Sequence, residues 1–220
     1  TFSLFFIFIF NKKKIVSNNR SLFKYGWYFG FGYFLFSLYW IVISLTFDQS
    51  FKFLIPVAIV LLPALLSIFY GLMTYLFAIF YSKNAVSSFF VFSILFGITE
   101  FIRGSILTGF PWNLISFSFT NSTYFIQILS IIGTYSFNLI CISLFATPAL
   151  FFLRKSKKEI MVCFFFIFVS AGFLIFSNIK GNNFNSLESV KNSYRIKAIS
   201  PNISLDRFYS KQDELKIINE

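Results

Sequence analysis

The segment Glu100-Phe-Ile-Arg103-Gly-Ser-Ile-Leu-Thr-Gly109-Phe-Pro111-Trp112-Asn is the stretch around which the rest of this chain is organised. It brings a carboxylate, a guanidinium, two glycines, a proline and an indole together within fourteen residues. The sequence on both sides consists mainly of Phe, Ile, Leu and Ser. Ionisable residues are costly among apolar segments of this kind, so the cluster requires a structural or functional reason.

The composition is typical of an integral membrane protein. The mean hydropathy is +0.75, with 57% hydrophobic and only 12% charged residues, which lies outside the range of soluble globular proteins. Several apolar runs reach the roughly 20 residues that cross a bilayer as a helix. We predict an all-α polytopic transmembrane helix bundle at 1–177, with a partial span at about 1–10 and full spans at about 25–47, 53–81, 85–102, 124–153 and 160–176. We expect the chain to begin partway through a span.

The basic residues predict the orientation of the bundle. The net charge of +11 is compatible with nucleic-acid binding, but most of it lies in short loops, and we expect no nucleic acid partner. Ten Lys and Arg residues fall in the loops between spans one and two, three and four, and five and six, against two in the alternate loops. The positive-inside rule therefore places those three loops in the cytoplasm. Segment 100–113 and everything after residue 177 are predicted to face outward.

The end of the chain changes character. A polar linker is predicted at 178–193. Residues 194–199 (YRIKAI) alternate as a half-buried strand, a turn follows at 201–202, and 210–220 suit an amphipathic helix. Strand, turn and helix predict that 194–220 begin an α/β domain. We expect that domain to be truncated, because the chain stops before it buries a core.

Two interpretations of the central charged residues stay open. Glu100 and Arg103 are three residues apart, so on a helix they share a face and can form an ion pair. A structural pair that braces the outer loop is favoured, and the alternative is an arginine that holds a lipid phosphate. Gly104, Gly109 and Pro111 are predicted to interrupt the helix. Trp112 suits either an interfacial anchor or the lining of a substrate entrance.

Small and polar residues mark two further helix faces. Gly26 and Gly30 have the GxxxG spacing that lets helices approach closely in lipid. In the span at 124–153, polar residues follow a 3-4-4-3 spacing that predicts one polar face directed into the bundle. Interhelical hydrogen bonding is favoured over a polar permeation path. The residues of that predicted face are Gln127, Ser130, Thr134, Asn138 and Cys141.

The residue types limit the chemistry within these 220 residues. The chain contains no histidine, which excludes a Ser-His or Cys-His mechanism from them. Cys141 and Cys163 both lie in apolar runs without a basic neighbour that would favour a thiolate. We therefore expect no nucleophilic role for either, no disulfide framework, no metal site and no cofactor.

The segment 99–113 (TEFIRGSILTGFPWN) resembles the signature of the apolipoprotein N-acyltransferases, the bacterial inner-membrane enzymes that finish lipoproteins. The similarity covers about 25–220 and keeps the family's order. It includes 26–32 (GWYFGFG), 38–41 (LYWI), 127–135 (QILSIIGTY) and 201–203 (PNI). The resemblance implies that 194–220 begin a periplasmic nitrilase-like (carbon-nitrogen hydrolase) domain.

The resemblance also implies a reaction. An acyl chain passes from a membrane phospholipid to a cysteine thiolate, and then to the α-amino group of a diacylglyceryl-apolipoprotein. The family uses a Glu-Lys-Cys triad in the nitrilase-like domain. The resemblance places all three beyond Glu220, so we expect these 220 residues by themselves to be catalytically inert.

Individual roles follow from the residue patterns described above and, for Phe208, from the resemblance. Arg103, Trp112 and Phe208 are expected to contact lipid or substrate. The structural residues are expected to be Glu100, Gly109, Pro111, Gln127 and Asn138. The family tends to have Lys-Trp where this chain has Arg207-Phe208, and commonly Gln where it has Ser200, so Phe208 stands where the family has an indole.

Two other classes of function stay open at this point. The polar face predicted at 124–153 motivates a transporter or channel, which would be expected to carry inverted repeats or paired broken helices. No second copy of segment 100–113 occurs in the chain. The other alternative is a non-catalytic membrane anchor for an extracytoplasmic α/β domain.

Overall fold

A computed structural model describes residues 1–106, 109–120 and 123–185. Every regular element in these ranges is helical, and they contain no strand. The α-helices are α1 (Phe2–Ile15), α2 (Asn19–Leu38), α3 (Ile55–Ile79), α4 (Ala85–Ser105), α5 (Thr123–Ile132), α6 (Thr134–Ala146), α7 (Pro148–Phe152) and α8 (Lys157–Asn185). Short 3-10 helices occupy Tyr39–Thr46, Gln49–Leu54 and Ile115–Phe119.

Five helical segments of the described ranges are long and apolar enough to cross a membrane. The prediction of a polytopic helical membrane protein is therefore confirmed. Three segments combine neighbouring helices, because α2 and α3 are each extended by a 3-10 helix and α6 continues into α7. The five segments are Asn19–Thr46, Gln49–Ile79, Ala85–Ser105, Thr134–Phe152 and Lys157–Asn182.

Helix α1 contributes much of the aromatic core. Its buried residues recur at the spacing of one helical face and are Phe2, Phe5, Phe6, Ile9 and Phe10. The Phe5 ring stacks on Phe29 of α2 with centroids 3.8 Å apart. The Phe6 ring meets Phe92 of α4 at 5.1 Å. A phenylalanine stripe at helical spacing thus fixes α1 between two neighbouring spans.

Helices α2 and α3 pack through glycine, which confirms the role predicted for the GxxxG pair. Gly26 and Gly30 are buried against α3. A Cβ at Gly26 would collide with Thr74, and one at Gly30 would lie 3.0 Å from the Cβ of Tyr70. The close approach lets the Thr74 hydroxyl donate to the carbonyl of Leu22, 2.8 Å away. Backbone contact of this kind is available only where one helix lacks side chains.

The region predicted as one span at 124–153 is divided by Gly133, whose φ of +75° does not fit a helix. Helix α5 ends before it and packs against α8, while α6 begins after it and packs against α4. The predicted continuous polar face is therefore wrong. Ser130 is exposed, whereas Asn138 and Cys141 are buried. A 3-4-4-3 spacing aligns side chains only when the helix runs without interruption.

The final helix is longer than the sequence pattern indicates. Helix α8 continues to Asn185, through the first part of the segment 178–193 that was predicted as a linker. The rest of that segment and the α/β start predicted at 194–220 lie outside the described residues.

The basic residues at the end of α1 and before α4 lie at the opposite end of the bundle from the 109–113 segment. Near the basic end, Phe10 of α1 contacts Tyr81 after α3, with ring centroids 5.5 Å apart. Lys83 precedes the start of α4, and segment 109–113 follows its end. At that other end, Trp40 and Trp112 have ring centroids 5.5 Å apart.

Candidate functional site

The last turn of α4 carries a fully buried ion pair. Nη2 of Arg103 lies 2.6 Å from Oε2 of Glu100, and its Nε donates to Oε1 at 3.2 Å. Both side chains are 0% exposed. Two parallel N–H to oxygen bonds fix the planar guanidinium against the carboxylate. We refer to Glu100 and Arg103 as the clamp.

The same guanidinium holds the chain that follows the helix. Nη1 of Arg103 donates to the carbonyl oxygens of Phe110 at 2.7 Å and Trp112 at 3.0 Å. The backbone N–H of Phe110 donates in return to the carbonyl of Arg103, 3.1 Å away. Four of the five N–H groups of the arginine are thus used within the protein. This geometry supports the clamp as the group that shapes segment 109–113, which we call the clamped loop.

Aromatic residues of α2 and α3 close the other side of the clamp. The guanidinium carbon of Arg103 lies 5.2 Å from the ring centroid of Phe34. Tyr33 donates its hydroxyl to the carbonyl of Asn113 at 2.7 Å, and Tyr70 is completely buried. No role for these three residues was predicted from the sequence. A tyrosine within an apolar helix is a weak signal, because a buried Tyr hydroxyl usually requires a partner. Tyr33 has such a partner, whereas the Tyr70 hydroxyl has none among the described residues.

The clamped loop turns sharply and presents its aromatic tip outward. The prediction that Gly104 interrupts the helix is wrong, because Gly104 lies within α4 and the helix ends one residue later. Gly109 has φ of +79° and Asn113 has φ of +60°, both in the left-handed region. Pro111 and Trp112 between them are exposed, and the Trp112 side chain is 54% exposed. The loop therefore carries an exposed indole on a backbone that the buried clamp fixes.

Gly109→Ala is expected to destabilise the protein more than Gly133→Ala. Both glycines have positive φ, which costs an alanine about 1–2 kcal/mol. A Cβ at Gly109 would additionally lie 2.6 Å from the carbonyl oxygen of Gly104, whereas nothing lies within 4 Å of a Cβ at Gly133. Thermal unfolding of the two variants in detergent measures the difference. Equal destabilisation would show that the contact with Gly104 relaxes freely.

A second anchor holds the chain just beyond the clamped loop. Oδ1 of Asn138 in α6 accepts a hydrogen bond from the backbone N–H of Ser116, 3.0 Å away, and Asn138 is completely buried. Gln127 is only half-buried and lies in α5, beyond the break at Gly133. Of the predicted site residues, Glu100, Arg103, Gly109, Pro111 and Trp112 thus lie together, Asn138 lies nearby, and Gln127 lies on another helix. Phe208 is outside the described residues.

The membrane-spanning segments define a multi-pass membrane protein. Residues 1–147, more than half of the chain, match the family model described as the apolipoprotein N-acyltransferase N-terminal domain. The chain belongs to this family, as the sequence resemblance predicted.

Curated relatives support the same assignment. The chain is 35% identical to an apolipoprotein N-acyltransferase of Allorhizobium ampelinum over 140 residues, which are 63% of this chain and 26% of that protein. It is 38% identical to one of Rhizobium etli over 62% of this chain and 26% of the relative. It is 34% identical to one of Sinorhizobium medicae over 67% of this chain and 28% of that relative. The chain spans about a quarter of the length of these relatives. No solved structure matches it.

Proposed function

We propose that this chain is the membrane part of an apolipoprotein N-acyltransferase of the bacterial inner membrane. The enzyme transfers an acyl chain from a phospholipid to a cysteine thiolate and then to the diacylglyceryl-cysteine of an apolipoprotein. The family membership of the chain supports this reaction. A nitrilase-like domain on the periplasmic side supplies the Glu-Lys-Cys triad, and neither Cys141 nor Cys163 takes part.

The main support for this proposal is the buried clamp, which lies within the part of the chain that matches the family. Holding an ion pair away from water is costly unless its hydrogen bonds are complete, and here they fix one particular loop. The basic residues at the opposite end of the bundle favour an outward-facing loop. The loop then lies on the same side as the proposed catalytic domain, as a rim between the bilayer and the active site.

The reaction is tested in the complete gene product. The purified protein in phospholipid nanodiscs is given a phospholipid with a labelled acyl chain, and the thioester is detected by its release with neutral hydroxylamine. Addition of a diacylglyceryl peptide should then move the label to the peptide amine. A protein that forms no thioester with any phospholipid would contradict the proposal and favour a non-catalytic anchor.

The transporter alternative loses its motivation, because the polar face predicted at 124–153 is interrupted at Gly133.

Trp112→Ala is expected to raise the KM for phospholipid about tenfold, because an exposed aromatic side chain supplies contact area for a ligand. The amount of folded protein should stay unchanged, since Trp112 is 54% exposed. Tyr39→Ala is the matched control, since Tyr39 is 66% exposed and adjoins Trp40, the neighbour of Trp112. Initial rates of thioester formation at graded phospholipid content measure the effect. If both variants behave alike, Trp112 is only an interfacial anchor.

A further inference from the structure

Four basic residues lie together where α7 ends and α8 begins. They are Arg154, Lys155, Lys157 and Lys158, and all four are exposed. Helix α8 starts at the basic end of the bundle, because its Phe166 meets Phe89 near the start of α4, with ring centroids 5.6 Å apart. The one ion pair in residues 1–106, 109–120 and 123–185 is the clamp at the other end. No carboxylate of these ranges therefore forms an ion pair with any of the four.

The carboxylate nearest in sequence is used to cap α8. Oε2 of Glu159 accepts hydrogen bonds from the backbone N–H and the hydroxyl of Ser156, at 3.0 and 2.6 Å. Oγ of Ser156 accepts in turn from the backbone N–H of Lys158, 3.2 Å away. These reciprocal bonds form a capping box, and Glu159 is buried. The box fixes the backbone that carries the basic residues while the carboxylate is turned away from them.

An open hollow of about 320 Å³ lies among these residues. Its lining combines three cations with one hydroxyl and one apolar side chain. The lining residues are Arg154, Lys155, Ser156, Lys157 and Ile160. Guanidinium and ammonium groups that face one concave surface suit an anion with several acceptor oxygens, such as a phosphate. We call this feature the basic hollow.

Apolar surface adjoins the basic hollow on both helices. Phe151 and Phe152 of α7 and Met161 and Phe164 of α8 are all strongly exposed. They belong to segments that are long and apolar enough to cross the membrane, so these side chains face hydrocarbon. The guanidinium carbon of Arg154 lies 5.0 Å from the ring centroid of Phe151, which places the cation at the boundary between hydrocarbon and water. A ligand with a phosphate and a hydrocarbon tail fits this boundary better than a free phosphate.

The charge around the hollow favours an anionic headgroup. Lys12, Lys13 and Lys14 end α1 at the same end of the bundle, and Lys83 precedes α4 there. Among the described residues, Glu159 is the one carboxylate at this end. A headgroup that carries its own ammonium is repelled by such a field, whereas an anionic headgroup is attracted.

We infer that the basic hollow binds one anionic phospholipid, with the phosphate among Arg154, Lys155 and Lys157. The acyl chains of this lipid lie along the exposed apolar side chains of α7 and α8. The positive-inside rule puts the site in the cytoplasmic leaflet. The site lies at the opposite end of the bundle from the clamped loop, and the inference does not depend on the proposed function.

Two double variants of the complete gene product test the site. Arg154→Gln with Lys157→Gln removes two charges from the hollow, whereas Lys24→Gln with Lys83→Gln removes two exposed charges from the same end without touching the lining. The protein in mild detergent is titrated with phosphatidylglycerol or with phosphatidylcholine of the same acyl chains. Native mass spectrometry measures the Kd of the first bound lipid.

Phosphatidylglycerol is expected to bind about tenfold more tightly than phosphatidylcholine to the wild-type protein. The Arg154→Gln and Lys157→Gln pair should remove this preference, and the Lys24→Gln and Lys83→Gln pair should keep most of it. Inorganic phosphate in large excess should not displace the lipid, since it lacks acyl chains. Both double variants should unfold at the wild-type temperature, because all four substituted side chains are exposed.

Several outcomes would overturn the inference. Equal loss of preference in the two double variants would show a diffuse surface potential instead of a site. Equal affinity for the two lipids would remove the role of headgroup charge, and displacement by inorganic phosphate would identify a site for free phosphate. Tighter binding of a single-stranded oligonucleotide would favour a nucleic-acid partner. Thioester formation, measured on the same samples, tests the proposed function separately and is expected to be unchanged in both double variants.

Discussion

Arg103→Leu is expected to lower the free energy of unfolding by about 3–5 kcal/mol, because it leaves the buried Glu100 carboxylate without its partner. The variant also removes the donors to the carbonyls of Phe110 and Trp112. The clamped loop should lose its fixed shape, and thioester formation should fall with it. Chemical denaturation in detergent and hydroxylamine-sensitive labelling of the complete gene product measure the two effects.

Arg103→Lys separates the two interpretations of the arginine. A lysine keeps the positive charge but lacks the planar fork that reaches the carboxylate and two carbonyls together. If Arg103 acts as the clamp, Arg103→Lys should restore little of either the stability or the activity. Recovery of thioester formation without recovery of stability would favour the alternative, in which a cation holds a lipid phosphate. Wild-type stability and activity in Arg103→Leu would exclude both roles.

The double variant Glu100→Leu with Arg103→Leu provides the matched control. It removes both buried charges, and apolar replacement of a buried pair is often neutral. It should therefore be more stable than Arg103→Leu alone, although the loop carbonyls stay without donors. A double variant that is less stable than Arg103→Leu would show that the unpaired carboxylate is not the source of the destabilisation.

Gly26→Leu is expected to be the most damaging change outside the site. A leucine there would meet the Thr74 side chain and the Tyr70 backbone of α3, and helix backbones in contact have no space to yield. Overpacking of this kind costs about 1–3 kcal/mol or more, and separation of α2 from α3 would also move Tyr33 and Phe34 away from the clamp. The amount of folded protein after extraction and its thermal stability measure the loss.

Gly32→Leu is the control on the same helix, because nothing lies within 4 Å of a Cβ at Gly32. It tests the effect of replacing a glycine in α2 without the steric conflict. If Gly26→Leu and Gly32→Leu were equally stable, the close approach of α2 and α3 would not contribute to the fold.

The sequence by itself determined the features that depend on neighbouring residues. Apolar run length predicted the membrane-spanning helices, since crossing hydrocarbon requires a fixed number of residues. The three-residue spacing of Glu100 and Arg103 predicted their pairing, because helical periodicity puts them on one face. The GxxxG spacing marked the buried glycines of α2 for the same reason. Family membership followed from a contiguous motif.

The tertiary structure decided the features that join distant parts of the chain. Tyr33 and Asn113 are eighty residues apart in sequence, and no periodicity links them. A cleft of about 400 Å³ between α3 and the chain after α4 likewise requires these two parts of the chain to lie side by side. At Gly133 a local pattern predicted a contact that the fold does not make. The 3-4-4-3 spacing would align these polar side chains on a continuous helix, but the positive φ of Gly133 divides α5 from α6. Local spacing therefore indicated which polar or small residues can share a helix face. Only the packing of the helices decided what each of them contacts.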